Sequence, residues 1–511
     1  MAGPSKQIKY TGILLIAQFL LKSSSLLKQV LLAFFLGISA HVDLFIAAQI
    51  VPAIIASVIA GGAGEILVTR FKDKSSVSDD FIAIFVHSIV FLTIILSVIY
   101  WFSLPIFGNL FEIKNDQLVI FTEISFYVII SRIPAAYVSC LRHLLYANEK
   151  YKSYLYASFF SELLGILAIL IFVNELGIKA FAIGFFITPL VNSIFFIRFH
   201  RLKFLSFLKI NTWRKHFNEW TSIMSQTLNL GAQTFINYLS TFWERTLCMR
   251  YLQPGFLSAL NYSKSLTELP RMAFLSSVLT TSYIEQIKRK EDSQQEFLRY
   301  SNKIETFLSE ISSIMQLALM IFAPFIVVIL FKRGAFDDEA VLLTFTIFQI
   351  LSVGFLPNLM TNFLSRTMYI ESQYKTLFKI TVLRFFIEMG IMTMVIFYSP
   401  YSIPIAIVTS KFTGSILMFF YLKKLRPGIF NVSRFIKIYT IAVLASILIL
   451  YVNSIISMNV LNMNLAELML IYIPLGIVFL SITIIWVLKR YKTEFAMISL
   501  NPFKRFVKSR S

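Results

Sequence analysis

Residues 81–106 read FIAIFVHSIVFLTIILSVIYWFSLPI, 26 positions without one Asp, Glu, Lys or Arg. An α-helix rises about 1.5 Å per residue, so about 20 apolar residues cross the ~30 Å hydrocarbon layer of a bilayer. This run is long enough to span. Working outward from it, runs of spanning length centre in residues 11–37, 42–68, 117–141, 153–174, 177–198, 219–246, 257–285, 304–331, 338–364, 375–398, 402–422, 435–455 and 464–488, which with the first makes fourteen. They are continuous and rich in Leu, Ile and Phe, whereas barrel strands show ten-residue segments of alternating polarity. The expected fold class is therefore an all-α polytopic membrane protein of about 14 transmembrane helices. Composition agrees: 57% of the 511 residues are hydrophobic and 14% charged, against roughly 45–50% and about 25% in soluble domains. The first run lacks a compact core followed by a small-residue cleavage site, so it is read as a retained span and not a signal peptide.

The net charge of +20 is unevenly placed. With both termini on one side, 33 of the 47 Lys and Arg fall in the loops of that side, and four (Lys114, Arg250, Lys332, Arg333) fall opposite. That asymmetry is the positive-inside pattern, and it predicts an even number of spans with both termini cytoplasmic. The excess charge is thus a topology device that also attracts anionic lipid headgroups, not a nucleic-acid footprint. Cys140 and Cys248 lie in apolar runs without disulfide or metal spacing, and His41, His87, His143, His200 and His216 are scattered. No glycine loop ending in Lys-Ser/Thr is present to cradle a nucleotide. We expect no cofactor, no metal and no catalytic constellation, and read the chain as a transporter driven by ion or electrical gradients, not an enzyme.

A duplicated architecture is suggested by spacing. Asp43 precedes Pro52 by nine residues and Asn261 precedes Pro270 by nine, while Pro134 with Arg142 and Pro357 with Arg366 form a second related pair. Six spans separate the members of each pair, as in parallel repeats. The expected organisation is an N-terminal lobe over 1–200, a linker over 201–218, a C-terminal lobe over 219–428, two further helices over 429–490 and a basic tail over 491–511. In the linker Phe204, Leu205, Phe207, Leu208, Ile210 and Trp213 alternate with Lys and Arg. This reads either as an amphipathic interfacial helix or as a plain basic connection.

Basic residues near mid-span carry the functional reading, because a Lys or Arg at a helix centre costs about 2.5–3.5 kcal/mol on insertion scales and needs a wet cavity or a partner. Lys22 and Lys28 flank Ser23, Ser24 and Ser25. Six positions apart, they point about 120° away from each other on a straight helix, and a bend at Ser24, whose hydroxyl can bond back to the preceding turn, brings them together. Two readings stand: each lysine pairs with a carboxylate, Asp43 being nearest in sequence, or the two form a cationic wall for a phosphate-bearing substrate. Lys264, Glu268 and Arg271 share one stripe at i, i+4 and i+7, and Lys264 with Glu268 also reads as a plain ion pair. Glu244-Arg245 and Arg384 with Glu388 carry the same ambiguity, and Arg132 either answers Glu123 or lines a cavity. Lys179, Lys379 and Lys411 are read as snorkelling from helix ends. Gly61 and Gly62, with Pro52 and Pro270, mark close packing or a hinge.

Three segments carry a family resemblance. Val42-Asp43-Leu44-Phe45-Ile46-Ala47-Ala48-Gln49-Ile50-Val51-Pro52 with Gly61-Gly62-Ala63-Gly64 resembles the second helix of the MurJ (MviN) lipid II flippase family, within the multidrug/oligosaccharidyl-lipid/polysaccharide exporter superfamily. Leu252-Gln253-Pro254-Gly255 through Tyr262, Glu268 and Pro270 is similar to the family's seventh-to-eighth helix region, and Leu330-Phe331-Lys332-Arg333-Gly334-Ala335-Phe336 to its ninth-to-tenth loop. The resemblance implies two six-helix lobes around a central cavity, two extra C-terminal helices, and alternating access that carries an undecaprenyl-linked sugar pyrophosphate outward. It places the family's first-helix basic residues on Lys22 and Lys28, with lysine for the usual arginine, so charge is kept and the bidentate fork lost. Its second-helix aspartate matches Asp43. The family's second-helix arginine falls on Ala56, an acidic residue on Gly61, its eighth-helix arginine on Ser265 beside Lys264, and a sodium-holding carboxylate of some members on Arg245.

The expected function is accordingly a flippase for lipid II in peptidoglycan synthesis, in the bacterial cytoplasmic membrane. A flippase for an O-antigen or exopolysaccharide unit is the alternative; a drug exporter and a non-transporting scaffold rank lower. Expected substrate-binding residues are Lys22, Lys28, Asp43, Lys264, Glu268 and Arg271; expected hinge or packing residues are Ser24, Pro52, Gly61, Gly62 and Pro270. Expected partners are the lipid-linked oligosaccharide, membrane lipids and a coupling ion, with a monomeric chain.

Overall fold

The computed structural model describes residues 20–21, 23–60, 63, 79–147, 151–200, 207, 209–271, 276–463 and 465–495. Every regular element among them is an α-helix. Lys22, Gly61 and Gly62 lie outside the described residues, as do residues 201–206 and 208 of the linker.

The chain divides into two compact units. The first covers Gly12–Ser258. It holds α1 (Ser23–Leu36), α2 (Ala40–Ala48), α3 (Ile50–Ala60), α4 (Asp79–Leu110), α5 (Asn115–Ala147), α6 (Tyr151–Leu176), α7 (Ile178–His200) and α8 (Ile210–Tyr251). Its core gathers Phe81, Phe85 and Ile89 of α4 with Ile59 of α3, Leu141 of α5 and Ile223 of α8. On the same α4, Ile99, Phe102 and Ile106 stand exposed, as side chains that face hydrocarbon tails should. α2 and α3 are one 21-residue span interrupted at Gln49. Ser39 caps α2 by accepting from the Val42 N–H at 3.5 Å. Pro52 is tolerated three residues into α3, where few intrahelical donors are missed. Gly165 of α6 and Gly184 of α7 let those helices meet backbone to backbone: a Cβ on Gly165 would lie 2.9 Å from the Gly184 carbonyl oxygen. α8 is one helix of 42 residues, so Ile210–Asn218 of the linker continues into the predicted seventh span.

The second unit consists mainly of Ala259–Ser511. α9 (Phe256–Pro270) runs into it from the first, followed by α10 (Ser276–Asp292), α11 (Gln294–Ile321), α12 (Ala323–Phe331), α13 (Asp338–Val353), α14 (Phe355–Ile370), α15 (Tyr374–Val395), α16 (Ser402–Leu425), α17 (Val432–Asn462) and α18 (Leu465–Phe495). Ser293 and Glu296 start α11 with the first half of a capping box, the hydroxyl accepting from the Glu296 N–H at 3.1 Å. α17 is tied to α11 by polar contacts along its length: Arg434 Nη1 donates to Thr306 at 2.8 Å, Gln316 to Ser446 at 2.9 Å, and Asn453 to the Met320 carbonyl at 3.0 Å. α18 is far looser, with 11% of an 18-residue apolar stretch buried against 61% in α11.

Among the described residues nine helices are long and apolar enough to cross a bilayer, or ten if α13 and α14, bent by 43°, count as one span. The remaining predicted spans fall on the short α1, on α8 and α15, and on α9 with α10, helices of 15 and 17 residues that share the span over 257–285; α12 belongs with α11 to the span over 304–331. The all-α, multi-pass architecture is as expected.

Candidate functional site

In the first unit Lys28 is 5% exposed. Its ammonium sits 2.5 Å from Glu162 Oε2 of α6, donates to Thr188 Oγ1 of α7 at 2.9 Å, and lies 5.2 Å from the Phe185 ring centroid. The space is a glycine gap: a Cβ on Gly165 would stand 2.1 Å from Thr188 Oγ1 and 3.4 Å from the ammonium. The carboxylate partner is thus Glu162 and not Asp43. Ser24 Oγ does donate back to the Leu20 carbonyl, at 2.9 Å.

Asp43, 4% exposed, caps the start of α9. Its carboxylate accepts the Gly255 N–H at 2.6 Å, the Ser258 N–H at 2.7 Å and the Ser258 hydroxyl. Free backbone donors and the helix dipole make a helix N-terminus the natural seat for a buried carboxylate. The turn that presents these donors needs Gly255, whose φ is +94°. Close by in the chain, Arg245 donates to the Ile46 carbonyl, next to the break between α2 and α3. Arg132 lies within electrostatic range of Arg245 and Tyr238, while Glu123 pairs with Lys179, which therefore does not simply snorkel.

The second unit brings α9, α15 and α16 together around a larger group of charges. Arg271 binds Glu268 as a two-pronged ion pair, with Nε to Oε2 at 2.8 Å, and Lys264 is half-buried one turn earlier. Arg384 of α15 donates from Nε to the Ser410 carbonyl of α16 at 3.1 Å, and the Ser410 hydroxyl donates to Glu388 at 2.7 Å. Its stem lies across Gly414, where a Cβ would fall 2.5 Å from Arg384 Cδ. Lys411 is within electrostatic range of Arg384, Glu388, Glu268 and Arg271. Reading it as a helix-end lysine is incorrect: it is the tenth of 24 residues in α16.

Directly beside this group is an apolar cavity of about 520 Å³ between α11, α12 and α18, lined by Phe322, Phe325, Tyr472, Gly476 and Leu480, with Pro270 closing it at the end of α9. Pro270 is the immediate chain neighbour of Arg271 and two residues from Glu268. One helix terminus thus presents charge and a greasy wall together. Among the described residues no group of His, Cys, Asp and Glu could hold a metal ion.

The described helices, with charges set among them, define a multi-pass helical membrane protein, and the solved structures it resembles are a flippase and transporters of the MOP superfamily. The family model described as Lipid II flippase MurJ matches residues 32–502, and the chain belongs to the MurJ lipid II flippase family. Among solved structures, "Lipid II flippase MurJ, inward closed conformation" superposes with a TM-score of 0.73 at 19% identity, covering 92% of this chain and 98% of that one. An inward-facing multidrug resistance MATE family transporter of the MOP superfamily gives 0.60 at 14% identity, over 80% of this chain and 97% of the other. An outward-facing one gives 0.58 at 16%, over 82% and 95%. These likenesses are of fold. None of the curated proteins compared matches the chain.

Proposed function

We propose that the protein carries lipid II, a polyprenyl-pyrophosphate-linked saccharide, across the bacterial cytoplasmic membrane by alternating access. The observation that carries the reading is the meeting, at the end of α9, of an intramembrane cationic group and an apolar cavity of about 520 Å³. A pyrophosphate head needs cations where water is scarce, and its hydrocarbon tail needs an apolar wall continuous with lipid. Lys264 and Arg271 hold the head group while Glu268 keeps Arg271 extended. Lys28 acts once the incoming phosphate replaces Glu162 as its counter-charge, and Asp43 keeps the start of α9 folded as the protein alternates. The family membership supports the cargo. Neighbours solved facing inward and outward support the alternation.

In this reading both termini are cytoplasmic, the residues on either side of the linker over 201–218 form two lobes, the chain acts as a monomer without enzymatic chemistry, and the membrane potential or a coupling ion supplies the drive. Depleting the protein in its host and identifying the precursor that accumulates tests the reading. Lipid II should build up on the cytoplasmic side. Build-up of a different lipid-linked glycan, or of none, overturns it.

A further inference from the structure

We propose that Arg384 and Lys411 form an anion-binding site of their own in the second unit, which receives the pyrophosphate of the cargo; this rests on the transport reading above. Sequence context alone leaves Arg384 with Glu388 ambiguous between an ion pair and a functional group, and reads Lys411 as a snorkelling lysine.

Three observations support the assignment. First, the charges do not balance. Arg271, Arg384 and Lys411 face two acids, Glu268 and Glu388, which leaves one positive charge in excess among these groups. An uncompensated cation at bilayer depth is costly, so such an excess is tenable only where an anion visits. A pyrophosphate esterified at both ends carries about two negative charges at neutral pH, an anion of the sign that this excess calls for.

Second, the donors are held but not used up. Ser410 takes only Nε of Arg384, and among the described residues no acceptor meets its two Nη atoms. The Gly414 gap fixes the stem, so the guanidinium edge is presented in a set direction, as bidentate recognition of a phosphate requires. Lys411 has no carboxylate within ion-pair distance among the described residues, although it is half-buried in the middle of its helix. Glu388, the nearest candidate on α15, is engaged by the Ser410 hydroxyl.

Third, the place suits an amphipathic anion and not a free one. Arg271, in the same charge group, adjoins Pro270 in the wall of the apolar cavity. A molecule with a phosphate at one end and an isoprenoid chain at the other satisfies both.

The test uses the full-length protein in nanodiscs with farnesyl pyrophosphate as probe and farnesol as its uncharged control. Lys411→Met should raise the Kd for farnesyl pyrophosphate at least tenfold and leave that for farnesol unchanged, and Lys411→Arg should keep affinity within about threefold. Arg384→Gln should act in the same direction; if that variant fails to fold, Lys411→Met decides alone. Unchanged farnesyl pyrophosphate affinity in Lys411→Met overturns the proposal, as does equal displacement of the probe by phosphatidylglycerol, which would make the site one for ordinary headgroups. The two readings fail separately. If the wild type flips lipid II in proteoliposomes while Lys411→Met binds normally, only this site is wrong; if the wild type neither flips lipid II nor binds the probe, both are.

Discussion

Lys28 and Lys411 are both lysines near the middle of a membrane helix, and they are accommodated in opposite ways. Around Lys28, one carboxylate, one hydroxyl, an aromatic face and a missing side chain at Gly165 enclose the ammonium almost completely. The group is electrically neutral. A buried pair of this kind adds little net stability over an apolar replacement, but losing one partner strands the other. Around Lys411 the hydroxyl and carbonyl of Ser410 are given to its neighbours, and positive charge remains in excess. The contrast teaches that depth alone does not mark a site open to an anion: Lys411 stands amid an unbalanced count of charges, whereas Lys28 can take a phosphate only by giving up Glu162.

The most severe way to break this contrast is to unbalance the neutral cluster. Glu162→Gln should leave Lys28 buried without its counter-charge and destabilise the protein by about 3–5 kcal/mol, read as a fall in thermal unfolding midpoint of the detergent-solubilised chain. Adding Lys28→Met to it should recover most of that loss; equal stability of Glu162→Gln and wild type would mean the pair is not closed. Next in size, Gly165→Ala sets a methyl against Thr188 and the Gly184 carbonyl and should cost about 1–3 kcal/mol of the same stability. Gly414→Ala is the matching change in the other unit, and its mark should be weaker farnesyl pyrophosphate binding because Arg384 is displaced, an effect Gly165→Ala should lack. Asp43→Ala removes the α9 cap for about 0.5–2 kcal/mol, with faster amide exchange confined to the residues after Gly255. Smallest of all, Lys379→Met on the exposed side of α15 should change stability by no more than about 0.5 kcal/mol and leave anion binding untouched.

Much of the architecture was legible because bilayer thickness sets a length that 26 uncharged residues from Phe81 to Ile106 visibly satisfy. The family was legible too, in the segments around Asp43, Glu268 and Lys332. Averages of hydropathy failed where charges are inserted on purpose, so α8 and α15 are spans by position more than by composition. At the site, intramembrane residues could be picked out but not their partners. Glu162 lies far along the chain from Lys28, and the donors to Asp43 lie 212 and 215 positions on, separations that no local pattern encodes. Lys411 was misjudged for the opposite reason: its own helix looks apolar, and the charges that give it meaning stand on α9 and α15.

The wall of the cavity beside Pro270 is made of rings and aliphatic chains, with little in it to form a directional bond. Such a surface cannot count isoprene units or read the geometry of their double bonds, so a chain should slide along it in many registers at nearly equal free energy. Discrimination among cargoes must then be exercised at the polar end, and a shortened or saturated tail should be carried almost as readily as the natural one.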